Sequence, residues 1–292
     1  MKIILSRKGY DSASGGIPSP ILPEGSICSL PIPSEQRPRL KDVSFRETNL
    51  GCIVAQLRND STVRSSGVHL DPDLNPESRP RRPGWRPIFG QDGAAQSHLQ
   101  RHSVGSGDLF LFFGWFRKTN RENKTLQFST QQEDIHCIFG WLQVDRVFHP
   151  GIDTRPVPQW ASEHPHVKDA NFYNTFSSNN TLYVAADRLR LPGIRQKIPG
   201  GGVFERFTNC LQLTEPGCMR SIWRLPDSFF PTKGTTPLSY HSDKSRWSKD
   251  REGVLLQTVG RGQEFVIDTD NYPRVLGWVR GIFKEAPTRR CS

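Results

Sequence analysis

Val104-Gly-Ser-Gly-Asp-Leu-Phe-Leu-Phe-Phe-Gly-Trp-Phe-Arg117, followed after a polar interval by Ile135-His-Cys-Ile-Phe-Gly-Trp-Leu-Gln-Val144, is the stretch that decides the fold. Gly105 to Asp108 carries turn chemistry, since glycine accepts positive φ and aspartate bonds its own backbone. Leu109 to Phe116 is an unbroken apolar run of strand length, rich in aromatics, and predicts a strand buried on both faces. Ile135 to Val144 repeats the pattern, with Gly114 and Gly140 each placed just before a tryptophan. These predict two central strands of a curved sheet, kinked or bulged at the paired glycines. Residues 117 to 134 are polar and too long for a tight hairpin turn, so a loop is expected there.

Working outward, Lys2 to Ser6 predicts a first strand that opens into Asp11-Ser-Ala-Ser14, a loop of small polar residues of the kind that often carries chemistry. It lacks the ending of a Walker loop and the spacing of a dinucleotide fingerprint. Leu50, Ile53, Val54 and Leu57 recur at helical spacing. Gln91 to His102 predicts a short helix with Asp92 as N-cap and Leu99 facing inward. Thr181 to Ala186 and Gln263 to Ile267 predict further strands, and Arg195 to Gly202 a mobile turn or hinge. Tyr272, Val275, Leu276, Val279, Ile282 and Phe283 form one apolar stripe on a C-terminal helix started by Asp270 or Asn271.

The order of turn, buried strand, loop and second strand resembles small barrels of the PUA, ASCH and EVE type, which cradle a nucleotide or an extruded base. The expected class is therefore α+β: a curved mixed sheet or PUA/EVE-like partial barrel with peripheral short helices and long loops. A single domain over 1–292 is expected, its barrel-like core spanning roughly 104–185.

The chain has 292 residues, and its 39 basic against 29 acidic residues give a net charge of +10, a balance that favours polyanions such as nucleic acid. Six cysteines without a CxxC are too sparse for a disulfide scaffold and point to a reduced, cytoplasmic protein. The apolar start of the chain stops after three residues, too early for a signal peptide or anchor, so a soluble protein without membrane contact is expected. Two basic segments each embed a tryptophan. Arg79, Arg81, Arg82, Trp85 and Arg86 form one; Lys244, Arg246 and Trp247 lie in the other. Both are candidate DNA contacts.

No cysteine or serine nucleophile motif occurs. Of eight histidines, His164 and His166 form a close pair, but zinc needs three or four converging ligands that a sequence cannot display, and no metal is assigned. Carboxylates are the better candidates. Asp11 sits among small residues. Asp71 and Asp73 are two apart on a proline-stiffened extended segment, and only one of them is expected to face a given pocket. A carboxylate near a sugar carbon steadies an oxocarbenium ion or activates water. Gln91, Gln96 and His98 suit the hydrogen-bonding edge of an extruded base, although Gln96 and His98 cannot share one helix face.

Taken jointly, Met1-Lys-Ile-Ile-Leu-Ser-Arg-Lys-Gly-Tyr-Asp11-Ser-Ala-Ser-Gly-Gly-Ile-Pro-Ser-Pro20, His69-Leu-Asp-Pro-Asp-Leu74, Phe89-Gly-Gln-Asp-Gly-Ala-Ala-Gln-Ser-His-Leu99 and Gly107-Asp-Leu-Phe-Leu-Phe-Phe-Gly-Trp-Phe-Arg117 resemble the nucleotide-modification-associated domain 3 family. The resemblance runs from Met1 to about Phe283. It implies association with modified bases of phage DNA, and a similarity to antiphage DNA glycosylases that excise glucosylated hydroxymethylcytosine. It also implies that Asp11 and Asp71 sit at the active site with Gln91, Gln96 and His98 beside them. Ser12, Ser14 and Trp115 complete the expected substrate contacts. The expected partner is double-stranded DNA carrying modified bases, with no cofactor. A non-enzymatic reader of modified bases and an enzyme of base hypermodification are the alternatives.

Overall fold

Leu109–Phe116 lies in the middle of the main sheet, every residue buried except the half-buried Trp115, as a run that is apolar on both faces requires. The computed structural model describes residues 1–153, 156–172, 178–232, 234–260 and 262–288. Nine strands form the main sheet: β1 (Lys2–Arg7), β2 (Ser19–Ile21), β3 (Ile88–Gln91), β4 (Leu109–Glu122), β5 (Thr125–Phe128), β6 (Ile135–Phe148), β7 (Thr181–Ala185), β8 (Gly201–Val203) and β9 (Glu264–Asp268). Their order is β9-β1-β4-β6-β7-β3, with β2 and β5 added on β4 and β8 on β6. β1 runs parallel to β4 and antiparallel to β9; β4 and β6 are antiparallel. The path is open, its end strands unpaired with each other, so the architecture is the expected α+β mixed sheet and not a closed barrel.

Both paired glycines answer to a close approach. The register of β6 shifts between Ile138 and Gly140, a bulge that bends the strand. A Cβ on Gly114 would stand 2.6 Å from the Lys8 carbonyl oxygen, where the chain leaves the sheet after β1.

Two loop expectations are overturned. β4 continues through its polar half to Glu122 and turns back into β5 over Asn123 and Lys124, with φ of 48° and 67°. Positive φ at both central residues is what a two-residue hairpin turn requires, and the polarity reflects an exposed ribbon rather than a loop. The glycine run at 200–202 is no hinge: β8 pairs with β6, and the Trp141 indole donates to the Pro199 carbonyl at 2.9 Å.

Helices α1 (Leu50–Arg58), α2 (Gly93–Arg101), α3 (Pro165–Phe172) and α4 (Val275–Glu285) pack around the sheet. Asn49 caps α1 by accepting the Cys52 N–H, and the buried face of α1 includes Leu50, Ile53 and Val54. α2 is capped differently from expectation. The Asp92 side chain makes no capping bond, and Asn179 accepts the Gly93 N–H at 2.8 Å instead. Helix α4 starts at Val275, later than the Asp270 or Asn271 cap implies, and buries Val275, Val279, Ile282 and Phe283.

Candidate active site

The edge of β4 that carries β1 is split. β1 pairs with it from Leu109 to Phe113, and β2 resumes on the same edge at Phe116. In between, the chain makes the excursion from Lys8 to Pro18. A cleft of about 620 Å³ opens there, lined by Arg7, Asp11, Ser12, Ser14, Gln91 and Trp115, and by His69, Asp71, His136, His166 and Arg220 from elsewhere in the chain.

The overhanging loop is braced from within. The Asp11 carboxylate accepts the Ala13 and Ser14 N–H groups at 2.9 and 2.6 Å, and Arg58 donates to the Gly15 carbonyl. Asp11 therefore shapes the rim while lining the cleft. At the floor, Gln91 donates to Glu264 at 2.6 Å, and Lys8 forms an ion pair with the same carboxylate at 2.8 Å.

Asp71 lies on the other wall. Its backbone segment runs beside β3, held by reciprocal hydrogen bonds between Asp73 and Ile88. The Gly90 N–H donates to Asp71 Oδ1 at 2.8 Å. Three imidazoles surround the carboxylate: His69 Nε2 stands 3.8 Å and His166 Nε2 3.6 Å from its Oδ2, and His164 Nε2 stands 3.3 Å from its Oδ1. Burial alone would raise this carboxyl group, but the facing nitrogens of His164 and His69, joined at low pH by imidazole charge, outweigh it. Asp71 is held well below the usual carboxylate range. Burial pushes His166 down to about 4, against the pull of Asp71, so its ring is neutral. The ligand atoms of His69, Asp71 and His166 all lie within 4.8 Å of one another, a spacing that can hold a metal ion.

The far end of the cleft is cationic. The Arg7 guanidinium donates to the Gly260 and Gly262 carbonyls, and Arg220 covers the Trp115 ring at 4.4 Å. Burial lowers both guanidinium groups. His136 accepts the Trp223 indole N–H on Nδ1 at 2.9 Å, and burial holds its ring neutral, so the ring proton sits on Nε2.

The structure thus brings Asp11, Ser12, Ser14, Asp71, Gln91 and Trp115 together in one cleft. Gln96 and His98 stand outside it. Gln96 accepts the Tyr183 hydroxyl in the core at 3.0 Å, and His98 bonds Ser239 and stacks on Tyr240. Asp73 does not line this cleft, and it accepts from Arg81 on both oxygens. The other residues expected at DNA are largely engaged within the fold. Arg79 pairs with Asp73, Arg86 with Asp145 and Asp187, and Arg82 with Glu163. Trp85 borders a separate, mostly apolar cleft of about 490 Å³. Trp247 is buried, its indole bonded to the His241 carbonyl; Arg246 donates to the Gln257 carbonyl, and Lys244 is exposed. His69, His136, Arg7 and Arg220 carried no sequence motif as single residues. The spacings His69-x-Asp71 and His164-x-His166 were the available signal.

The chain is an α+β protein whose mixed sheet is split at one edge, with a polar cleft at the split. Residues 2–268 match the family described as nucleotide modification associated domain 3, and the chain belongs to that family. No curated protein and no solved structure matches it. Among the described residues, no helix is long and apolar enough to cross a membrane.

Proposed function

We propose that the protein is a DNA glycosylase of antiphage defence that excises a bulky modified pyrimidine, such as glucosylated hydroxymethylcytosine, from duplex DNA. The observation that carries this reading is the ionised, buried Asp71 facing a polar cleft of about 620 Å³, within the roughly 300–1,000 Å³ of ordinary ligand sites. The target nucleotide swings out of the duplex at a cost of a few kcal/mol and enters the cleft. Asp71 then faces the deoxyribose, where a fixed negative charge favours the oxocarbenium-like transition state and directs water to C1′. The C1′–N bond breaks with its electron pair leaving on the base. Water adds its oxygen to C1′, and the proton it sheds passes by way of the site to the departing base. Asp11, Ser12, Ser14, Gln91 and Trp115 contact the base or its added sugar. Lys244 and Arg82 remain the outward-facing candidates for the flanking backbone.

Incubation with glucosylated phage DNA should yield alkali-labile abasic sites and free modified base. Asp71→Asn should lower the rate about 100- to 10,000-fold, the range expected of a positioned acid–base group. Asp11→Asn keeps an oxygen for the Ala13 and Ser14 amides and should cost far less. Saturable binding with no product over hours would mean a reader instead. A mass change that requires a donor substrate would mean a base-modifying enzyme.

A further inference from the structure

The geometry points to a divalent transition-metal site formed by His69 Nε2, Asp71 Oδ2 and His166 Nε2 on the wall of the cleft. Asp71 Oδ2 stands 3.8 Å from His69 Nε2 and 3.6 Å from His166 Nε2, and one ligand atom from each of the three residues lies within 4.8 Å of the others. A tetrahedral ion with bonds of about 2.0–2.1 Å needs its donors about 3.3 Å apart. A contraction of a few tenths of an ångström brings the first two separations to that value.

The surroundings select which atoms face the ion. Asn180 donates its amide N–H to the His166 carbonyl at 2.8 Å, which fixes the other end of the amide as oxygen. That oxygen lies 2.7 Å from His166 Nδ1, so Nδ1 carries the ring proton. His166 Nε2 then turns either a second proton or a lone pair on the Asp71 carboxylate. A shared cation satisfies both. An outer hydrogen bond from the non-ligating nitrogen is how ligand imidazoles are usually oriented. Asp71 is prepared in the same sense, because the Gly90 N–H occupies Oδ1 and leaves Oδ2 toward the imidazoles. Gly90 itself has no side chain where the His166 ring packs against it.

His164 supplies the independent sign. It is 1% exposed, its Nε2 meets Asp71 Oδ1 at 3.3 Å, and its Nδ1 has no hydrogen-bond partner among the described residues. A buried imidazole left in that condition beside a carboxylate is what a bound ion would satisfy, with His164 as a further ligand or as a partner of the metal's water. Two or three imidazoles with one carboxylate suit Zn²⁺, Fe²⁺ or Co²⁺ rather than Mg²⁺ or Ca²⁺, which favour all-oxygen ligands. His69, Asp71 and His166 line the cleft, so the open coordination position faces the substrate. Resting on the glycosylase reading, the ion would lower the pKa of a bound water to about 7, and Asp71 would direct that water to C1′ as the ion's ligand rather than as a free charge.

The test separates metal binding from catalysis. The full chain, stripped with a chelator and checked for folding by circular dichroism, is titrated with Co²⁺ and Zn²⁺ without DNA. One equivalent should bind, and Co²⁺ should develop visible absorption bands of low-symmetry coordination. His69→Gln alters a side chain that is 21% exposed and should weaken binding about 100-fold while leaving the fold intact. Asn180→Ala, acting through His166, should weaken it about 10- to 100-fold. A folded wild-type chain that binds neither ion at micromolar concentration overturns the site, as does His69→Gln binding like the wild type. Metal binding without base release would leave the site standing and sink the glycosylase reading. Base release undiminished in chelator-stripped protein would leave the glycosylase reading standing and overturn the ion as the source of its nucleophile.

Discussion

Arg81 spreads its guanidinium across the Asp73 carboxylate, 2.6 Å to each oxygen, and its face lies 4.0 Å from the Trp85 ring. Asp73 is 1% exposed, so this pair is buried and bidentate, and Arg79 adds a third contact at 3.2 Å. Removing one partner of such a pair leaves a charge stranded, at about 3–5 kcal/mol. Arg79 remains in Arg81→Gln, so a loss near 3 kcal/mol is expected by denaturant unfolding. Arg82→Gln breaks only an exposed pair with Glu163 and should stay within about 0.5 kcal/mol of wild type. Wild-type stability in Arg81→Gln, together with a shallower salt dependence of DNA binding, would return Arg81 to the role its sequence suggests. The sequence does place Asp71 and Asp73 close together, but on a regular extended segment residues two apart share a face, so their engagement with different partners is not written in the spacing. It cannot say which of the two meets arginines and which meets histidines, since those partners arrive from other elements.

At the scale of elements, local pattern foretells existence and tertiary contact decides use. Helix α2 lies where its sequence places it, with Leu99 buried, yet its cap comes from Asn179 and its histidine faces Tyr240 rather than the cleft. Burial pushes His98 down to about 4, with His102 and Arg101 adding to the shift. Its folded pKa thus lies below the unfolded value of about 6.5, and the unfolded chain binds more protons between those values. The contribution is fully present above pH 6.5 and is lost as pH falls toward 4. Unfolding midpoints in urea should therefore fall between pH 6.5 and 4.5, and less steeply in His98→Gln. An unchanged slope would mean that His98 titrates normally in the fold. The β4–β5 turn makes a second element-scale prediction. Lys124 sits at φ 67°, a conformation that costs an L-residue about 1 kcal/mol and glycine almost nothing. Lys124→Gly should raise stability by several tenths of a kcal/mol, which a shift in urea midpoint at constant slope would register. Asn-Lys is a weak hairpin signal beside Asn-Gly, which is why the ribbon reads as a loop from sequence.

For the whole molecule, the sheet draws one side from both ends of the chain. β1 lies between β4 and β9, and Lys8 at the end of β1 pairs with Glu264 at the start of β9 beneath the cleft. Strand composition reveals each of these segments separately, but the parallel pairing of β1 with β4 closes about a hundred residues of chain that carry no local trace of it. The same dispersal hides the histidine cluster, whose members lie on an extended segment and at the start of α3. The family match ends at residue 268, before α4. Even so, α4 buries Val275, Val279, Ile282 and Phe283 in the same apolar cluster as β1 and β4, and the Phe283 ring meets Trp141 edge-on at 5.4 Å. Each such side chain contributes roughly 1.5–3 kcal/mol by burial, so the four together rival the total stability of about 5–15 kcal/mol of an ordinary domain. A chain ending at Asp268 should therefore lose its cooperative thermal transition and become protease-sensitive throughout, although it retains every residue of the cleft. Cooperative unfolding of the 1–268 chain within a few degrees of full length would mean that α4 is an accessory to the fold rather than part of its core.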